Sequence, residues 1–168
     1  MPKTKTKPQR SHGDGLSHHA GYVNGKWECP MFTGSGVVIE EGVRIWHPDN
    51  ILIGDNVYVG HDTMLKGYHE NRMVIGSGTW IGQMCFFHSA GGIHIGTNVG
   101  VGPCVKILTS YHVEAGRHVP IVHSPIALGR VVVGDDCDIG VGAILLPGTT
   151  LGKGVQVGAG AVVKGTFA

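Results

Sequence analysis

The stretch that decides the fold runs from Val133 to Val163 and reads VGDDCDIGVGAILLPGTTLGKGVQVGAGAVV. An aliphatic residue recurs at every sixth position, usually with a glycine directly after it: Val133, Ile139, Leu145, Leu151, Val157 and Val163. A period of six fits neither the 3.6-residue period of a helix nor the two-residue period of one extended strand. It fits a short strand followed by a corner, and hexapeptide repetition is typical of a parallel β-helix.

The same frame recurs upstream as pairs of an aliphatic residue and a glycine: Ile53-Gly54, Val59-Gly60, Ile75-Gly76, Ile81-Gly82, Ile95-Gly96 and Val101-Gly102. The glycine is missing on every third beat, as after Phe87 and Ile107. Three beats therefore make one coil of a triangular prism, with a weaker first coil at Ile39 and Ile45. All insertions follow the third beat, so they share one corner. We predict an all-β domain over residues 33–168, with one long loop extruded at about 108–128.

Composition narrows the class of protein further. A length of 168 residues fits one domain, and a net charge of +1 gives no argument for nucleic acid or a membrane surface. No apolar stretch approaches the length of a transmembrane helix, and the polar start of the chain lacks the apolar region of a signal peptide. Residues 1–32 lack the beat, so we expect a flexible arm there and a cytoplasmic protein overall.

The four cysteines do not resemble a disulfide framework. Cys85 and Cys137 stand four residues after an aliphatic, at the small inward position of the beat, so we predict that they are core thiols. Cys29 and Cys104 have no spacing typical of a metal site. Reduced cysteines in the cytoplasm are the simplest interpretation.

The largest insertion follows Ile107 and contains a candidate catalytic histidine, His112. It opens with Thr109-Ser110-Tyr111-His112, and the regular beat resumes at Val133. Loops this long in a compact repeat protein are usually functional. An imidazole held at the mouth of a cleft between coils is suited to general-base work. A plain surface histidine is the alternative reading of His112.

Several motifs together resemble the galactoside and maltose O-acetyltransferase group of the hexapeptide-repeat acyltransferases. They are the prism, the Ile-x-Thr-x-x-His opening over residues 107–112, the long loop, and the run from Val133 through Leu146-Pro147-Gly148 to Val163. The resemblance covers residues 36–164. It implies left-handed coiling, acetyl-coenzyme A as co-substrate and no required metal. It also implies that His112 is the general base for direct attack of a sugar hydroxyl on the thioester.

The resemblance also implies positions that bind the two substrates. Val141 and Ala159 match backbone amides near the cofactor thiol, and plain repeat positions are their alternative reading. Lys164 lies near where relatives place basic groups close to the phosphates of coenzyme A. His88 matches an acceptor-binding asparagine, so it is expected to contact the acceptor, with a stacked wall histidine as the alternative. The family also implies a homotrimer with the active site between subunits.

One further group of polar residues lies near the same corner. Lys66 is one coil below His88, and Tyr68, His69 and Arg72 follow it on the next insertion. Contact with a negatively charged acceptor is one reading of this group. We favour the simpler reading, which is an ordinary solvated corner.

Three other functions compete with sugar O-acetylation. Some hexapeptide enzymes acetylate the amine of an amino sugar on a nucleotide carrier with the same kind of base. γ-Class carbonic anhydrases use this prism to bind zinc through three histidines. His118 and His123 have a suitable spacing for such ligands, but Gly82 stands where the third would be expected. A non-catalytic scaffold subunit is the remaining possibility.

Overall fold

The protein is described from a computed structural model. The structure describes residues 32–168 and, upstream of them, the backbone of three two-residue strands: β1 (His19–Ala20), β2 (Tyr22–Val23) and β3 (Lys26–Trp27). The expected flexible arm therefore lies mostly outside the described residues. Where it is described, β2 pairs with β3, and β1 pairs antiparallel with the first strand of the third sheet.

Three sheets form the walls of a triangular prism. The first sheet contains β4 (Phe32–Thr33), β7 (Ile51–Ile53), β10 (Met73–Ile75), β13 (Ile93–Ile95), β18 (Val131–Val133), β21 (Thr150–Leu151) and β24 (Thr166–Phe167). The second contains β5 (Val38–Ile39), β8 (Tyr58–Val59), β11 (Trp80–Ile81), β14 (Gly100–Val101), β19 (Asp138–Ile139) and β22 (Gln156–Val157). The third contains β6 (Arg44–Trp46), β9 (Met64–Lys66), β12 (Phe86–His88), β15 (Lys106–Leu108), β20 (Ile144–Leu145) and β23 (Val162–Val163), with β1 at its edge.

The stacking register explains why the beat is six. Each wall strand pairs in parallel with the strand one coil away, so that Ile53, Ile75 and Ile95 lie in one row. Each coil thus adds one inward aliphatic residue per wall, and successive rungs stack about 4.8 Å apart. The resulting core is continuous, and Phe87 is its largest fully buried side chain. The chain is a left-handed parallel β-helix, as the sequence predicts.

Two corners of the prism turn tightly. At the first corner the turn residue has positive φ in every coil, and it is Gly, Asn or Asp, the residue types that tolerate this conformation. From the second coil onward, the amide of this residue donates to a carbonyl of the coil below at 2.7–2.9 Å, as Asn56 N–H does to the Ser35 carbonyl at 2.7 Å. The second corner repeats the same turn, with Asp62, Met84 and Cys104 among its positive-φ residues.

The third corner carries the insertions, as predicted. Its segments are 47–50, 67–72, 89–92 and 109–130, and the first holds the short 3₁₀ turn Pro48–Asn50. The longest segment forms an antiparallel pair of strands, β16 (Ser110–His112) and β17 (Ile126–Leu128), with a second 3₁₀ turn, Ile121–His123, between them. The loop therefore leaves the prism as a hairpin rather than as irregular chain.

The core thiols are also confirmed. Cys85 and Cys137 are buried, and each Sγ–H donates to a glycine carbonyl one coil away, at 3.3 and 3.0 Å. Burial raises the pKa of the Cys85 thiol to about 11. Among the described residues, no helix is both long and apolar enough to cross a bilayer.

Candidate active site

The hairpin sets the direction of the predicted base. His112 pairs with Ile126 and Ser110 with Leu128 across the two strands, so these four residues share one side of the hairpin. Tyr111, between them in sequence, faces the other side, as alternation along a strand requires. His112 thereby projects toward the lower coils of the prism, where His88 lies.

The His112 ring is held by one residue of its own loop. Its Nδ1 lies 3.4 Å from the carbonyl oxygen of Ser124 and 3.5 Å from the Ser124 hydroxyl. Ser124 is buried within an otherwise exposed loop, and its hydroxyl donates to the Ile121 carbonyl at 2.6 Å. A proton on Nδ1 would be shared with this serine, which leaves Nε2 as the basic nitrogen.

A cavity of about 450 Å³ lies between the hairpin and the third corner of the coils below. It is lined by Tyr68, His69, Glu70, His88, Ala90, Ser110, His112, Ile126 and Leu128. The corner segments supply most of the polar groups, and the second hairpin strand supplies an apolar wall. The structure thus brings His112 and His88 to one cavity, although they come from different coils.

His88 is the half-buried histidine of this cavity. It stands at the end of β12, and its carbonyl accepts a hydrogen bond from the Thr109 hydroxyl at 2.5 Å. Thr109 opens the hairpin loop, so this bond joins the two histidine-bearing segments. Burial lowers the pKa of His88 below the ordinary value of 6.5, and the positive charge of Lys66 lowers it further. The imidazole is therefore neutral at physiological pH.

Tyr68 belongs to the group of polar residues for which the sequence favoured an ordinary solvated corner. Its hydroxyl lies 2.9 Å from His88 Nε2, and the two rings meet edge to face at 5.0 Å. Tyr68 is half-buried and lines the cavity, so for this residue the reading of an ordinary solvated corner is wrong. His69 and Arg72 are exposed, as that reading expects.

Lys66 and Lys164 lie in the same column of residues that follow the third beat. Lys66 is in register with His88, and its Nζ is 5.5 Å from the centre of the Tyr68 ring. Lys164 is at the opposite end of the column, with its Nζ 5.6 Å from the centre of the Tyr111 ring. The two sides of the hairpin therefore each have a lysine beside a tyrosine.

Val141 and Ala159 lie elsewhere on the prism. They occupy the second corner, one coil apart, where the Val141 carbonyl accepts from the Gly160 amide at 2.8 Å. Within residues 32–168, no acceptor takes the N–H of either residue. Both amides are thus free to bind an anionic oxygen, but one chain by itself does not bring them into the cavity of His112.

The two other loop histidines, His118 and His123, are exposed. In the described part of the chain, no three His, Cys, Asp or Glu side chains are grouped closely enough to hold one metal ion. The described residues of a single chain therefore supply no histidine cluster for the zinc alternative.

Comparison with known sequences identifies a matching family model and several relatives. A family model described as the hexapeptide repeat of succinyl-transferase matches residues 130–164. The bifunctional protein GlmU of Carboxydothermus hydrogenoformans is 32% identical over 132 residues, which are 77% of this chain and 24% of that protein. The putative colanic acid biosynthesis acetyltransferase WcaF of Escherichia coli is 29% identical over 126 residues, 75% and 54% respectively. The chain thus spans about a quarter and about half of the length of these two relatives.

Solved structures share the prism. A maltose O-acetyltransferase from Clostridium difficile is 26% identical with a TM-score of 0.54, over 82% of this chain and 62% of that one. A mutant of AntD, an N-acyltransferase from Bacillus cereus in complex with dTDP and coenzyme A, is 25% identical with a TM-score of 0.67, over 79% and 72%. The repeat, the relatives and the shared prism agree: the chain belongs to the hexapeptide-repeat acyltransferase superfamily.

Proposed function

We propose that the protein is an acetyl-coenzyme A-dependent O-acetyltransferase that acts on a sugar hydroxyl, with His112 as the general base. The observation that carries the proposal is the cavity that His112 and the neutral His88, from adjacent coils, both line. Similarity to a maltose O-acetyltransferase and to a putative colanic acid biosynthesis acetyltransferase supports a saccharide acceptor. A cytoplasmic location stays a prediction.

The geometry of His112 suits direct transfer. Its Nε2 takes the proton of the acceptor hydroxyl as the hydroxyl oxygen attacks the thioester carbonyl carbon. The new C–O bond forms, the C–S bond breaks, and the leaving thiolate receives the proton from the imidazolium. Negative charge on the carbonyl oxygen needs donors aimed at it beforehand. The unpaired N–H groups of Val141 and Ala159 have the chemistry for this role, and Lys164 would face the phosphates of coenzyme A.

A site that contains both the His112 base and the amides of Val141 and Ala159 requires more than one chain. In a single prism the free amides lie at the second corner and His112 at the third. We therefore propose a homotrimer in which the third corner of one subunit meets the second corner of its neighbour. Exposed apolar side chains on the hairpin loop, such as Ile121 and Val122, support a contact there. A monomer in light scattering at micromolar concentration would contradict it.

An amine acceptor is the second candidate. The similarity to AntD, an N-acyltransferase whose structure contains dTDP, favours an amino sugar on a nucleotide carrier. The same imidazole could deprotonate an amine. The two candidates differ in the atom acetylated, so the choice of acceptor in an assay decides between them.

Release of free thiol from acetyl-coenzyme A tests the proposal directly. A panel of sugars with only hydroxyl groups is compared with nucleotide-linked amino sugars at matched concentrations. With the best acceptor, we expect His112→Ala to lower kcat by about 10²- to 10⁴-fold, the usual contribution of a general base. The control is His94→Ala, on the outer face of the first sheet and away from the cavity, which should stay within twofold of the wild type. Undiminished turnover by His112→Ala would remove the base assignment.

A further inference from the structure

Tyr68 is held from one coil and reaches into the next. Its carbonyl accepts a hydrogen bond from the Asn50 side-chain amide at 2.6 Å, and Asn50 belongs to the 3₁₀ turn one coil below. The His47 ring stacks near the Tyr68 ring, with centroids 6.3 Å apart. From this support the phenol extends upward to His88. A side chain so fixed at both ends loses little further freedom when it binds a ligand.

The pairing with His88 decides which hydrogen-bonding group Tyr68 offers to the cavity. The neutral imidazole has one accepting nitrogen, and a phenol donates more readily than an imidazole N–H. The Tyr68 O–H therefore donates to His88 Nε2 across the 2.9 Å that separate them. The remaining lone pairs of the phenol oxygen can then only accept hydrogen bonds. A ligand that binds this oxygen must therefore donate a hydrogen bond to it.

The charges around this pair bear on what that donor can be. Lys66 lies beside the Tyr68 ring and faces the pair from β9, which disfavours a second positive charge next to it. Glu70 also lines the cavity, but its side chain is 73% exposed and already faces His69 at 3.5 Å. The charge of Lys66 is therefore the closer influence on the phenol, and an uncharged hydroxyl suits the site better than an ammonium group.

We propose that Tyr68 is a specificity-determining residue whose phenol oxygen accepts a hydrogen bond from a hydroxyl of the sugar acceptor, and that His88 is the positioning residue that orients it. This inference rests on the proposed function and deepens it. In this proposal the acceptor contacts Tyr68, and His88 acts on the acceptor only by orienting Tyr68. It also explains why a histidine can stand at this point of the column, since its ring nitrogen serves the phenol rather than the substrate.

Kinetics with two defined acceptors test the assignment. The probes are methyl α-D-glucoside, which has hydroxyl groups only, and glucosamine, which carries an ammonium group. Tyr68→Phe should raise the KM for methyl glucoside about tenfold, the effect of one lost hydrogen bond, while the KM for acetyl-coenzyme A stays within twofold. Tyr58→Phe is the matched control, because Tyr58 stacks on Trp80 at the second wall and does not line the cavity. An unchanged KM for methyl glucoside overturns the inference, and so does an equal rise in the KM values for methyl glucoside and acetyl-coenzyme A.

A double-mutant cycle tests whether Tyr68 and His88 act as one unit. His88→Ala alone should produce a loss in kcat/KM similar to that of Tyr68→Phe, and the double variant should lose no more than either. A general weakening of the fold would not give this pattern. Losses that multiply would show that His88 contacts the acceptor independently, and they would overturn its positioning role.

A binding measurement separates this inference from the proposed function. Methyl glucoside is titrated into the protein while the ring signals of His88 are followed by NMR. If the wild type releases no thiol with either probe but shows a saturable shift that Tyr68→Phe abolishes, the proposed reaction fails and the Tyr68 site stands. If the shift is the same in both proteins, or if no saturable shift occurs, the Tyr68 site is overturned.

Discussion

The tight corners and the third corner of the prism differ in which part of the chain they offer to solvent. At the first and second corners, every coil turns through a positive-φ residue at the same position of the repeat, and neighbouring coils are joined there by the same backbone hydrogen bond. Those corners leave backbone amides such as that of Val141 at the surface. At the third corner the segments vary in length, and they present side chains, with Tyr68, His88 and His112 among them. The two uniform corners therefore expose backbone N–H groups in fixed positions, whereas the irregular corner exposes reactive side chains.

This contrast has a physical origin. A tight corner is packed against the next coil, so it tolerates little change in shape. The third corner begins a new coil, and extra chain can leave the prism there without breaking any rung. Variation in sequence is therefore expected to cost more stability at the two tight corners than at the third.

The largest effect is expected at the second corner. A Cβ added at Gly102 would lie 2.7 Å from the Val141 amide nitrogen and 3.0 Å from the Ile139 carbonyl oxygen, both backbone atoms of the next coil. Gly102→Ala should lower the free energy of unfolding by about 1–3 kcal/mol, as overpacking does. Urea unfolding measures this change. Gly158→Ala is the matched control, because it stands at the same place in the repeat with nothing within 4 Å of the added atom. Equal effects at the two glycines would contradict the packing argument.

A smaller effect is expected from protonation at the third corner. Burial and then Lys66 lower the pKa of His88 in the folded protein below 6.5. The unfolded chain therefore binds this proton first as the pH falls, so the contribution of His88 to stability is present above pH 6.5 and is lost below it. Lys66→Met should move the pKa of His88 upward toward its ordinary value, while burial still holds it below. NMR titration of the His88 ring measures this pKa in the wild type and in the variant. A lower His88 pKa in Lys66→Met than in the wild type would refute the role of Lys66.

The smallest effect is expected at the tip of the hairpin loop. Val122 is 69% exposed in a single chain, so its side chain has little to lose on truncation within that chain. Val122→Ser should change the stability of the isolated subunit by no more than about 0.5 kcal/mol. If the proposed trimer forms, the same substitution should instead weaken assembly, which sedimentation at several protein concentrations would reveal. A large loss of subunit stability would show that the loop packs on its own prism.

The fold could be predicted from the sequence because each wall strand has one inward position. The spacing of Ile75 and Ile95 predicts their coils by itself. The missing glycine after Phe87 and Ile107 indicates the corner at which the chain leaves the prism. Buried Cys85 and Cys137 followed from the same frame. In such a repeat, position in the beat fixes position in space, so local pattern and global structure carry the same information.

The site could be predicted only in part, for the same reason. His88 directly follows a third beat, and His112 lies near the start of the insertion after the next third beat, so the sequence indicates that they share a corner. Tyr68 lies on an insertion, where the frame says nothing about direction. Its path depends on the Asn50 side chain and on the His88 ring, which are 18 and 20 residues away. The signal that could have identified it is an aromatic hydroxyl three residues after the third-beat Leu65, one coil below a histidine.

The alternation of Tyr111 and His112 along β16 makes this site sensitive to parity. One residue inserted between Thr109 and His112 would exchange the two sides, turning the imidazole toward Lys164 and its neighbour toward the cavity. A second inserted residue would restore the original facing. Odd changes in the length of this short connection should therefore abolish the constellation without altering any of its members, whereas even changes should leave the imidazole on the correct side.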